Sequence, residues 1–211
     1  MRMLRRRRAP VVADPPPADA SLGDLLPAEC RGPGLTTAEL AAAQEQAEAA
    51  FPPDLCELLT ETLPTGDGFP DWRGHPGEAM KAWRERLIAD FHFDVLENGF
   101  WRAEWGRRPE NPYESRAVVA EQLARVPALI PVFIHRAIPN EPLEPGNPVF
   151  SVWQAVDMIV YGADLRRYLL HEFHDASDAP GPARPIRFWT DMLDAYIDGA
   201  VWFNQDHSLP G

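Results

Sequence analysis

Apolar positions along this chain follow two periods, and the places where one replaces the other mark out its elements. In LTTAEL, Thr36 and Glu39 have the spacing of a capping box, in which a hydroxyl and a carboxylate satisfy orphan amides at a helix start. Leu35 and Leu40 sit where a hydrophobic staple would place them, and a helix is predicted from there to about Ala50. FPPDLCELLTETLP opens a second helix: Pro52 and Pro53 are tolerated in its first turn, Leu55, Leu58 and Leu59 form one stripe, and Pro64 ends it. A third helix is predicted over residues 77–89, with Met80, Trp83, Leu87 and Ile88 on one side. FHFDVL then alternates Phe91, Phe93 and Val95 with polar neighbours, the period of a strand. NPYE starts another helix that runs to about Val126.

Strands are predicted over residues 129–135, 149–154 and 157–161. Both alternating faces of residues 149–154 are largely apolar, which places that strand centrally, covered on two sides. Two helices close the chain. Leu165, Tyr168, Leu169 and Phe173 share a face of the first; Trp189, Met192, Leu193, Tyr196, Ile197, Ala200 and Val201 follow helical spacing in the second. On the opposite side of that last helix, a turn of ~100° per residue brings Asp191, Asp194 and Asp198 within about 60° of one another. Helices first, strands in the middle and helices last predict an α+β domain.

Residues 1–33 are rich in Arg, Pro and Ala without sustained periodicity, and are expected to form a flexible leader with one short helical turn at LGDLLPAE. The folded domain is expected over residues 34–211. The 211 residues are enough for one full core, and 45% apolar with 25% charged residues is the composition of a soluble globular protein. The 23 prolines are spread along the chain, which argues for many sharp boundaries and not for low complexity.

Charge changes the picture more. The formal net charge is −12, yet Arg2 and Arg5 to Arg8 lie at the very start, so the rest of the chain is more acidic still. An acidic body repels phosphate backbones, which argues against a nucleic-acid partner, and it would speed encounter with a basic protein. The arginines are followed by APVVADPPPADAS, which lacks the apolar stretch of a secretion signal, and no segment approaches the ~20 apolar residues of a membrane span. Cys30 and Cys56 are too few for a disulfide framework or a metal site, so a cytoplasmic protein with free thiols is expected.

Chemical motifs are scarce. The chain has no nucleophile elbow G-x-S-x-G, no phosphate-cradling G-x-x-x-x-G-K and no dinucleotide G-x-G-x-x-G. HEFH, residues 171–174, spaces its histidines by three instead of the four of zinc peptidases, and both lie off the buried side, so they are expected at the solvated surface. No metal or cofactor is expected. His135, Arg136, Gln154 and Asp157 lie on or beside the apolar strands. They are either a ligand-lined or catalytic cluster, with His135 as a base, or side chains that bond one another and the backbone where strands end. Structural wiring is the reading adopted here. Trp101 and Trp105 are expected in the core, whereas Trp72, in the Gly-rich FPDWRG, is a candidate partner contact together with Asp191, Asp194 and Asp198.

In order along the chain, GLTTAELAAAQEQAEAAFPPDLCELL, GFPDWRG, NGFWRAEWG, LIPVFIHRAIP and GNPVFSVWQAVDMIVYGADLRRYLLHEF resemble one bacterial branch of the SUKH superfamily. That group includes the domain of the fungal cell-wall assembly regulator. The chain departs from the branch at Ile134 and Ala137, where a glycine and an aromatic residue would stand. The resemblance implies a mainly antiparallel sheet with helices packed against it. It also implies a non-enzymatic interaction module, either an immunity protein that binds and neutralises a toxin or a regulatory scaffold. No catalytic set comes with it.

Overall fold

The computed structural model describes residues 16, 17, 19–174 and 182–197, and they form a single α+β domain. In chain order its elements are β1 (Arg31–Pro33), α1 (Thr37–Ala47), α2 (Pro53–Glu61), β2 (Thr62–Pro64), α3 (Pro76–Glu97), α4 (Pro112–Leu123), β3 (Leu129–Phe133), β4 (Arg136–Pro139), β5 (Val149–Val152), β6 (Met158–Gly162), α5 (Leu165–His174) and α6 (Trp189–Ile197). The predicted capping box is present: Thr36 Oγ1 accepts from the Glu39 amide at 3.2 Å, and the Glu39 carboxylate accepts from the Thr36 amide at 2.7 Å. These bonds and Arg73 hold the Glu39 carboxyl down to about 2.

FHFDVL is not a strand. Helix α3 continues through it to Glu97. Leu87, Phe91 and Val95 are spaced by four and all buried, whereas Phe93 is 48% exposed. Three aromatic or branched residues two apart imitate a strand only when the preceding turn of helix is left out of the comparison.

Residues 19–33 do not behave as a leader. The short turn at Gly23–Leu25 is there, followed by a second at Ala28–Cys30 and by β1, which pairs antiparallel with β2. Leu22, Leu25 and Leu26 are buried in the common core. The helical period is missing because these residues bury side chains in two single turns and one short strand, too little chain for any repeat to show. Residues 1–15 lie outside the described residues.

The main sheet is an antiparallel meander, β3-β4-β5-β6. Strand β5 lies inside it, with Val149, Phe150 and Val152 all buried, as its apolar faces predict. Strand β4 was not expected. It forms because Ile134 and His135 turn the chain tightly enough for Arg136 to pair with Phe133. Register places Arg136 beside Ser151, and Ser151 beside Ile159, so the three share one face. Helix α5 crosses this face. It begins against β6, where Tyr168 leaves no room for a side chain on Gly162, and it ends with Phe173 against Phe133 of β3, their rings 5.6 Å apart.

Candidate functional site

Helix α3 fastens both hairpin tips of the main sheet. At the β3–β4 tip, Ile134 has φ of 49°, a left-handed conformation that two-residue hairpin turns require and β-branched residues rarely adopt. Its amide donates to the Gly68 carbonyl at 2.8 Å, and its carbonyl accepts from Arg86 of α3 at 3.1 Å. At the β5–β6 tip, the amides of Trp153 and Gln154 both donate to the Asp157 carbonyl, at 3.0 and 3.3 Å. The Val156 amide donates to the fully buried carboxylate of Asp94 at 3.0 Å, and Asn98 donates to the same carboxylate at 2.6 Å. One helix thus holds a residue of each tip, Ile134 and Val156.

Arg136 lies one step inside these tips. Its Nε donates to Glu172 of α5 at 3.2 Å, an Nη donates to Ser151 Oγ at 2.9 Å, and the guanidinium lies 3.7 Å from the centre of the Tyr161 ring. The side chains of Arg136 and Glu172 are only 11% and 18% exposed. His171 stacks on the same Tyr161 ring and donates from Nδ1 to the Tyr161 carbonyl at 3.1 Å. Arg136 therefore ties three strands to α5.

His135 accepts a close contact from Arg136 at Nε2, which leaves its proton on Nδ1, a buried atom with no partner among the described residues. A neutral ring suits this place. Burial pushes the imidazole below its usual range, Arg136 and Arg86 push the same way, and Asp157 opposes them weakly. Gln154 is half-buried in the turn and Asp157 is exposed at its end. The four residues singled out in sequence are neighbours in space, at the two adjoining hairpin tips. Among the described residues, clefts lie elsewhere. One of about 470 Å³ is lined by Met80, Trp83, Leu87, Leu129 and Trp189; one of about 480 Å³ is lined by Asp54, Glu57 and Asp164. None of the four residues lines either.

Among the other candidates, Trp72, His171 and His174 are placed differently from expectation. Trp72 is 2% exposed, its ring edge-on to Phe51 at 4.8 Å, so it is core and cannot contact a partner. The glycines around it mark the tight path needed to bury an indole from a loop. Trp101 and Trp105 are buried as expected, ring against ring. Asp191 is exposed at the start of α6, where its carboxylate accepts from the Phe188 amide at 3.2 Å. Asp194 is on the same helix, and Asp198 lies outside the described residues. His171 and His174 are half-buried and bonded within the fold: the second donates from Nε2 to the Leu25 carbonyl at 2.9 Å and so clamps the N-terminal turn to α5. Both carbonyls lie outside α5, one of them 149 residues away, and a helical wheel does not display them.

Sequence reasoning missed Arg86, Asp94 and Trp153. Asp94 was hidden by the strand assignment of its segment, and the other two act only across elements. Among the described residues no three His, Cys, Asp or Glu side chains are grouped to hold a metal ion, and no helix is long and apolar enough to cross a membrane. Comparison of the chain with protein-family models, with curated proteins and with solved structures gives no match.

Proposed function

We propose that this chain is a non-enzymatic protein-interaction module of the immunity type, a SUKH-like domain that binds a basic toxin domain and neutralises it. The observation that carries this reading is the engagement of Arg136, whose donors face Glu172, Ser151 and the Tyr161 ring inside the fold. A catalytic or ligand-binding arginine would need donors directed at open space. Arg136 therefore serves as a fastening between strands and helix, and the outer surface is left to meet a macromolecule. The ordered set of SUKH-like segments and the formal net charge of −12 support the same reading.

Its test uses the product of the reading frame beside that of this chain, which the proposal expects to be a basic toxin domain. Co-expression is expected to rescue growth of cells making that toxin, and the purified proteins are expected to bind. Their association rate should fall several-fold from low to high salt as screening shortens the reach of the acidic surface. A chain that neither binds nor neutralises that toxin overturns the proposal.

A further inference from the structure

Helix α5 crosses the sheet on a diagonal, from the Gly162 end of β6 to Phe133 of β3, and leaves one corner of that face uncovered. At this corner Trp153, Ile159 and the tip residue Ile134 are 51%, 53% and 52% exposed. Trp153 follows directly after β5, two residues beyond Ser151, and Ile159 is the cross-strand partner of Ser151, so the two lie at the same end of the β5–β6 hairpin. Large apolar side chains scattered singly on a surface need no account; three gathered at two adjoining hairpin tips do.

Trp153 is also held in place. The Arg86 guanidinium lies 5.3 Å from its ring centre, and the His135 ring meets it edge-on at 4.8 Å. Arg86 is fixed in turn by Asp90 at 3.2 Å and by the Ile134 carbonyl. An exposed indole already confined to one orientation loses little freedom on binding, which is the property of an interface anchor.

The rim supplies the charge. Asp157 closes the β5–β6 tip, Asp67 adjoins Gly68, which contacts Ile134, and Asp90 stands beside Arg86. Asp67 and Asp157 are exposed. Among the described residues, the cation set against these three carboxylates is Arg86, because His135 is held neutral and Arg136 faces Glu172.

We propose that this corner is the docking surface of the chain, and that its occupant is a basic protein that inserts an apolar side chain beside Trp153 and brings lysine or arginine to Asp67, Asp90 and Asp157. The inference rests on the immunity reading and names the surface that reading leaves open. A second copy of the chain fits less well, since a two-fold contact here would bring the same acidic rim against itself.

The experiment measures binding of the neighbouring toxin domain to the full chain and to four variants, each first shown to be folded by its denaturation curve. Trp153→Ala and Ile159→Ser are expected to weaken binding, the first by about 30-fold or more, as loss of an interface anchor does. Asp157→Lys should slow association several-fold, and Glu45→Gln, at an exposed position on α1, should change affinity less than about two-fold. If the wild-type chain binds and both apolar variants bind equally well, the corner is not the surface, and the immunity reading stands. If the wild-type chain does not bind at all, the immunity reading fails and takes this assignment with it. Self-association that Trp153→Ala abolishes would give the corner to a second copy and overturn the proposed occupant.

Discussion

Asp94 and Val156, 62 residues apart in sequence, are joined by a 3.0 Å hydrogen bond from the Val156 amide to a carboxylate with no exposed surface. With Arg86 at the Ile134 carbonyl, this bond makes α3 the common anchor of both hairpin tips. A surface built on turns is thereby given the rigidity of a helix, which a preformed docking site requires.

Removing the carboxylate should therefore loosen one tip selectively. Asp94→Ala leaves the Val156 amide and the Asn98 side chain without their acceptor, and is expected to cost about 1–3 kcal/mol in urea denaturation. Amide hydrogen exchange should quicken at Val156 and its neighbours while the β3–β4 tip keeps its protection. Unchanged stability and exchange would mean that the bond contributes nothing.

Arg136 and Glu172 form a mostly buried pair, and such pairs respond differently to the loss of one partner and of both. Arg136→Met alone leaves a buried carboxylate uncompensated and is expected to destabilise by about 3 kcal/mol. The double variant Arg136→Met, Glu172→Leu should recover most of that loss. Additive losses in the double variant would show that each side chain acts independently of the other.

His135 predicts a pH response of known sign. Its imidazole is held below the ordinary value of 6.5, chiefly by burial and then by Arg136 and Arg86. The unfolded chain therefore binds the proton more readily than the folded one, so stability from this group is complete above about 6.5 and is lost as pH falls below it. Protonation also takes away the lone pair that faces Arg136. The wild-type chain should lose more stability between pH 7.5 and pH 5.5 than His135→Phe, which keeps a ring against Trp153. Equal losses by denaturant titration at the two pH values would contradict the assignment.

How much of this was legible before the structure depends on where each residue's partner sits. The start of α1 was readable because Thr36 and Glu39 satisfy each other within four residues, and α2 because Pro52, Pro53 and the leucine stripe are all local. The central position of β5 was readable because burial on both faces leaves apolar residues on both. Trp72 was misread because a loop carries no period that tells a buried indole from an exposed one. Asp94 was misread because FHFDVL satisfies strand and helix patterns alike until the rest of α3 is in place. His171 and His174 bond carbonyls of β6 and of the turn at Gly23–Leu25, contacts that no spacing along α5 encodes.

The sequence by itself determined the class of fold, most helix boundaries, the acidic character and the adjacency of His135 and Arg136. Only the tertiary structure decided that Arg136 fastens strands to α5, that residues 19–33 belong to the core, and that Trp153 stands exposed at an uncovered corner. Caps and amphipathic stripes are satisfied within one or two turns of chain. Whether a polar group is buried, or an apolar one left bare, depends on elements that arrive from far along the chain.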